Sequence, residues 1–464
     1  MPPHLPNEVL LAVIGTLRSS KSTLERPAQN CATLSKLCRV SRGFQQVAEP
    51  FLYESIFLSD DRLSAFVVTI EHRPYLGSYV KELDIPVGGL TGLTRFWLRK
   101  RLEERQDSID HSPFRRAIGL ALNSKQLMSG RDADLEGIYL LLLAMLLPEV
   151  EVVHFAPNTV MMEFVAEVDR SGPFPRLQQV YAEGVGTDEE GLKEGMPARL
   201  CEAFLSPTVQ IFHGFHVEWL RHIKWRGAER MSLKSVHLGR SLCNGTGVKD
   251  LLSHCPDLER VSIKWAGTYL QHDTENIDFP FYDQIGEALR RYGHNLRELE
   301  LDCLEENHYN CDYPRTIEEL EEERIGSLRE MMRLRTLRLP LDLLLGEDDY
   351  TPHLEEEDHE IGPQMLALTL SDVLPSSLEI LELMSCPWNG IEHLHTQIHD
   401  LLATGQMANL RSILVERHRG EFHRDIAHLG WNASIIEDSY TSLPDLKWEW
   451  NTLFIARKEC SRIA

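Results

Sequence analysis

The side chains best suited to metal or acid–base chemistry are clustered histidines. His395 and His399 stand four residues apart, on one face of any helix they share, with His393 before them and His418, His423 and His428 after. Zinc sites use such spacing. The chain nevertheless contains no H-E-x-x-H, and its 20 histidines are spread along the sequence, which favours ordinary structural or exposed imidazoles. Cys303, His308 and Cys311 form a second cluster, without an evident fourth ligand. Adjacent carboxylates such as Glu305-Glu306 and Glu318-Glu319 do not face each other on a helix, so they imply no acid–base pair. Phosphate-binding glycine loops and the G-x-S-x-G nucleophile elbow are absent. The expectation is a protein with no catalytic residues, no metal and no cofactor; an enzyme with a His-lined pocket near residues 393–428 is the competing class.

Composition narrows the partners. In 464 residues, 48 Lys and Arg face 71 Asp and Glu, a net charge of −23, the opposite of what a phosphate backbone attracts. Nucleic acid is therefore not an expected partner. Residues 1–60 hold 6 basic and 5 acidic side chains, so the acidic excess belongs to the rest of the chain. The nine cysteines are odd in number, scattered and free of C-x-x-C, which fits reduced thiols in cytoplasm or nucleus. Residues 1–17 lack a basic start and carry Glu8 within the apolar run, a poor secretory signal. The longest apolar run, residues 138–147, is about half a membrane span, so no membrane association is expected.

The elements fall into two styles. Val9, Leu10, Val13, Ile14 and Leu17 have helical spacing, as do Leu34, Leu37 and Cys38, and then Val40, Phe44 and Val47 beyond a break at Ser41. Three short helices over residues 1–50 are too few to hide their own apolar faces and should dock on a partner. Phe51 onward reads as a strand. Thereafter a six-residue pattern, apolar-x-x-apolar-x-apolar, recurs at Val80, Val150, Leu177, Leu233, Leu258, Leu296, Leu334, Leu378 and Leu410. A tenth instance, at Val209 and Phe212, is doubtful because Gly214 occupies its last apolar position. Helical stretches are predicted between the strands, at residues 137–147, 248–254, 282–292, 325–332 and 392–402.

Such recurrence predicts an α/β solenoid over residues 51–430, with parallel strands on the concave face and helices on the convex face. An ordinary α/β protein is the plainer alternative. Insertions are expected at 86–136, which carries the basic stretch 95–105, and at 340–377, with eight acidic residues among 347–360. Residues 431–464, aromatic and strand-like near 447–455, would cap the array.

The amino-terminal residues carry a resemblance. Leu5-Pro6-x-Glu8-Val9-Leu10 followed by Leu34-x-x-Leu37-Cys38-Arg39-Val40-Ser41-Arg42-x-Phe44 resembles an F-box, and the repeats resemble degenerate leucine-rich repeats of fungal F-box proteins. The spacing between the first two helices is longer than usual, and Phe44 stands where many members have Trp. Asn158 and Cys386 keep the family's terminal Asn/Cys position; most units do not. The resemblance implies a substrate-recognition subunit of an SCF-type ubiquitin ligase. Leu5, Pro6, Val9, Leu10, Leu34, Leu37, Cys38, Val40 and Phe44 would then contact a Skp-type adaptor, which joins cullin and RING subunits. About half of Val13, Ile14, Leu17 and Val47 are expected to pack instead against the first repeat. A leucine-rich-repeat scaffold without ubiquitin function is the alternative.

If repeat positions four and six are buried, positions three, five and seven face outward. That face would hold the protein substrate, through Tyr181, His237, Arg260, Lys264, Glu298, Glu300, Arg338 and Glu382. Aromatic and Arg side chains dominate interface energies, which singles out Tyr181, Arg260 and Arg338.

Overall fold

The computed structural model describes residues 11–12, 14, 26–57, 60–85, 100, 143–155, 174–184, 196–202, 204–223, 225, 230–265, 282–302, 324–345, 368–384, 391–418, 422, 424–437 and 451–458. They form two compact units, the first comprising Met1–Val185, Leu200–Gln210 and Trp225–Ala228, the second the remainder. Both are mixed α/β. Among the described residues no helix is long and apolar enough to cross a membrane.

The first unit begins with helices α1 (Arg26–Cys38) and α2 (Arg42–Glu54). Pro27 falls in the first turn of α1, where its missing N–H costs nothing, so the helix starts earlier than the periodic apolar set suggests. Ser41 caps α2: its backbone is extended and its hydroxyl accepts the Phe44 N–H at 3.2 Å. Ile14, Leu34, Val47 and Ala48 are buried together, with Leu37, Cys38, Phe44, Phe51 and Leu52 packed around them. This packing carries α2 through Pro50 to Glu54, so the predicted strand at Phe51 shrinks to β1 (Ser55–Phe57). After α3 (Asp60–His72), β2 (Glu82–Ile85), β3 (Val152–Phe155) and β4 (Gln179–Glu183) add in sequence order, each parallel to the last.

In the second unit, β5 (Met196–Pro197) pairs with β7 (Val217–Trp219). The main parallel order is β6 (Ile211–Phe215), β8 (Ser235–Cys243), β9 (Arg260–Trp265), β10 (Glu298–Asp302), β11 (Thr336–Pro340), β12 (Ile380–Met384) and β13 (Ser412–His418). Two antiparallel strands, β14 (Trp431–Glu437) and β15 (Asn451–Arg457), end it, with β15 against β13 and β14 outermost. Helices α4 (Gly245–His254), α5 (Tyr282–Tyr292) and α8 (Ile391–Ala403) match predicted stretches; the short α6 (Leu341–Leu345) and α7 (Leu370–Val373) lie within the expected 340–377 insertion.

All three apolar positions of all nine sequence units are buried. Equivalent positions pair across strands, Leu299 with Val261 and Leu337, and Leu381 with Ile413. The register is locked just before each strand. The carbonyl at repeat position two accepts two N–H groups from the next strand: Lys234 from Glu259 and Arg260, Glu259 from Arg297 and Glu298, Arg297 from Arg335 and Thr336. Side chains repeat this lock one layer out, where Asn295 Nδ2 donates to Pro256 O at 2.7 Å and Asn409 Nδ2 to Ser376 O at 3.0 Å, the same two repeat positions each time.

Two expectations change, and one strand runs beyond its six-residue pattern. The doubtful tenth unit is a real strand, β6; a Cβ on Gly214 would come within 2.9 Å of both Val217 and Leu238 side chains, so the glycine hands its space to neighbouring apolar groups. Residues 325–332 are turns rather than a helix, because Ile325 and Leu328 N–H groups donate to Leu343 and Val373 carbonyls instead of to their own segment. Finally, β8 runs to Cys243 through a register shift at Arg240, whose φ of 43° marks a bulge. The predicted insertion 86–136, apart from Lys100, and residues 346–367 of the predicted insertion 340–377 lie outside the described residues.

Candidate binding face

Alternation along β8 to β13 turns positions three, five and seven away from the core, and the charged residues there meet across strands. Arg338, on β11, is the hub. Its Nη2 donates to both oxygens of Glu416 at 2.9 and 3.0 Å, its Nη1 lies 3.1 Å from Glu300, and its Nε is 3.7 Å from Glu382. Glu300 is further held by Lys264 at 3.0 Å and by the Ser262 hydroxyl at 2.6 Å. Arg260 pairs with Glu298 at 3.2 Å. Four carboxylates, those of Glu298, Glu300, Glu382 and Glu416, thus pair with three cations, Arg260, Lys264 and Arg338, and Asp302 is the register partner of Lys264.

This crowding sets the protonation states. Burial works against the charge of Glu300, yet the Ser262 and Lys264 hydrogen bonds and the positive charges of Lys264 and Arg338 outweigh it and hold its carboxyl below the ordinary range. Glu382 goes the other way: burial raises it, Arg338 opposes, and Glu416 and Glu300 add to the rise. On Arg338, burial is outweighed by Glu416, Glu300 and Glu382, which raise its pKa. His237 is pushed down by burial, against the pull of Glu300; its Nε2 and the Ser235 hydroxyl are 2.7 Å apart, and its ring stacks on His213 at 4.7 Å.

The first unit shows its own outward pattern. Tyr181 stacks on His154 with ring centroids 4.3 Å apart and planes within 7°, and His154 Nε2 lies 3.0 Å from Glu82, which also accepts the Ser55 hydroxyl. Burial, then Glu82, raises the Tyr181 phenol.

The structure therefore gathers Lys264, Glu300, Arg338 and Glu382, with Glu416, into one network beside the separate Arg260–Glu298 pair, while Tyr181 lies in the first unit. Arg338 is not a free anchor, since three carboxylates already hold it. Of the outward positions, Ser235 and Ser262 are buried beneath longer side chains, and Met384 is buried where its register partner is the buried Pro340. Sequence reading chose Arg338 but not Glu416 as a contact residue; only the two-strand reach of an Arg across β12 reveals the pair. The position-preceding asparagines, Asn295 and Asn409, were equally readable as a repeat but are too sparse to be noticed alone.

Among the amino-terminal residues, Val40 is 65% exposed, while Leu37, Cys38 and Phe44 are half-buried. Leu34 departs from the expectation. On α1 it points at Ile14 and Ala48 and is a core residue of the helical cluster. Leu5, Pro6, Val9 and Leu10 lie outside the described residues. So do Cys303, His308, Cys311 and His423, together with the side chains of His393 and His418. His395 is buried against Phe422, and His399 pairs with Asp400. Among the described residues no three His, Cys, Asp or Glu side chains are arranged to hold a metal ion. Compared with known proteins, the chain matches no family model and no curated protein.

Proposed function

We propose that this chain is the substrate-recognition subunit of an SCF-type cullin-RING ubiquitin ligase, acting without catalytic residues in cytoplasm and/or nucleus. In this reading the amino-terminal helices are an F-box that binds a Skp-type adaptor, and through it cullin and RING subunits. The parallel units are irregular leucine-rich repeats whose outward face holds a protein substrate. The observation that carries the reading is the small helical cluster itself. It buries Ile14, Leu34, Val47 and Ala48, yet leaves Val40 exposed and Leu37, Cys38 and Phe44 half-exposed at positions where the motif resemblance puts adaptor contacts. The regular burial of repeat positions one, four and six supports the second half. An outward face whose charges are already fixed in space suits a partner of matching charge pattern, because pre-ordered side chains lose little entropy on binding.

Co-expression with a Skp-type adaptor, followed by size-exclusion chromatography, tests the proposal. Wild type co-elutes; Leu5→Ala with Pro6→Ala, and separately Val40→Asp, abolish co-elution. Val40 serves better than Leu37, whose substitution would also disturb the helical cluster. Failure of a folded wild-type chain to bind the adaptor refutes the ligase reading. Binding of adaptor without recruitment of cullin leaves the scaffold alternative.

A further inference from the structure

The outward face of the first unit combines carboxylates and aromatic rings with no Lys or Arg at any outward position of β1 to β4. Phe57, Asp84, His154 and Tyr181 lie in one register row across these strands, with Glu82 and Glu183 beside it. Glu82 is held by the Ser55 hydroxyl at 2.7 Å and by His154 at 3.0 Å. Asp84 and Glu183 make no ion pair with a Lys or Arg among the described residues. Asp84 is half-buried: burial raises its carboxyl, His154 opposes, and Glu82 and Glu183 add to the rise. The second unit solves the same problem differently. At the same repeat position its Glu300 has Arg338 as register partner, 3.1 Å away, where β2 to β4 carry only Asp84, His154 and Tyr181.

We infer, resting on the proposal that the outward face holds the substrate, that the first unit takes an arginine-bearing segment of the substrate protein, with one guanidinium on Asp84 beside the Phe57 ring. Two features select that occupant. A half-buried carboxylate among like charges gains from a permanent cation, and a guanidinium is weakly hydrated and forks onto both carboxylate oxygens. Phe57 is 48% exposed and is the register partner of Asp84, so the two side chains start one strand spacing apart, about 4.8 Å. A guanidinium bound to Asp84 therefore also reaches an aromatic ring. Glu82 and Glu183 extend the negative surface to either side, which favours further basic residues in the same segment.

The test is fluorescence anisotropy, with the full chain titrated into a labelled octapeptide of alternating Gly and Arg at about 0.15 M salt. The whole chain is acidic, so variants locate the binding. Asp84→Asn, which is isosteric and relieves repulsion, is expected to weaken binding about tenfold. Phe57→Leu, which stays apolar but loses the ring, weakens it about threefold. Glu330→Gln, which removes an exposed carboxylate of the second unit, leaves it unchanged. Circular dichroism confirms that each variant folds. No binding of the peptide overturns the inference, and is the result expected if the chain's own basic residues 95–105 occupy the face. Equal loss in Asp84→Asn and Glu330→Gln, or loss in neither, overturns it too, because binding then follows net charge alone. Adaptor co-elution separates the two proposals. Adaptor binding without peptide binding refutes the arginine site and leaves the ligase reading, whereas peptide binding without adaptor binding refutes the ligase reading and leaves the site to the scaffold alternative.

Discussion

Replacing Arg338 by Met keeps the length and apolar stem of the side chain and removes only its charge. Glu300, Glu382 and Glu416 are then left facing one another around a half-buried site, with Lys264 the one cation among the described residues still touching Glu300. Removing one partner of a fully buried pair costs about 3–5 kcal/mol. These four side chains keep between 23% and 35% of their surface exposed, so solvent screening reduces the expected loss to about 2 kcal/mol. The pH dependence is the sharper signature. In the wild type, Glu300 sits below its unfolded value, so its contribution is present above that value and is lost as pH falls through the folded pKa. In the variant the carboxylates lose their counter-charge and rise, so the cost appears as pH climbs through the carboxylate range. The deficit should be largest at pH 7 and shrink toward about pH 4. Denaturant unfolding at both pH values measures it. A variant indistinguishable from wild type at pH 7, or equally weakened at both, would show that Arg338 does not balance these carboxylates.

Other substitutions probe the repeat. A Cβ on Gly286 would come 1.9 Å from the Ile325 carbonyl, so Gly286→Ala should lower stability by about 2–3 kcal/mol in the same unfolding assay, against no loss if α5 simply shifts. Asn409→Ala removes one donor to the previous unit and should cost about 1 kcal/mol. Burial lowers His237, so its contribution is complete above 6.5 and is lost as pH falls from there toward its folded pKa; His237→Gln should flatten that part of the stability profile. Cys201, Cys243 and Cys255 are buried thiols whose pKa burial raises, so alkylation at neutral pH followed by mass spectrometry should leave all three unmodified until denaturant is added.

The core was readable because it is written in one short pattern. Every third-and-second spaced apolar triplet from Val80 to Val415 marks a buried strand, whatever lies between the triplets. Gly214 hid a strand because the missing side chain is supplied by Val217 and Leu238, a substitution in space that leaves no trace in sequence. Residues 325–332 misled for a related reason: their apolar spacing is helical, but their amides are engaged by residues 343 and 373, far along the chain. On the outward face, alternation identified which residues point away from the core, but not which are already satisfied. Arg338 looked like an anchor for a partner until Glu416 was seen to reach it from two strands away.

The forked carbonyl before each strand has a consequence for how such a chain changes over time. Register is fixed by one backbone oxygen and the two amides that meet it, whose side chains are irrelevant to the bond. The connecting chain need only return to that point, and doubling a flexible connector adds only about 0.6 kcal/mol of closure entropy. Unit starts separated by as few as 24 residues and as many as 70 therefore coexist in one protein. Connectors are free to lengthen, shorten or acquire new composition while the strand beside them keeps its place.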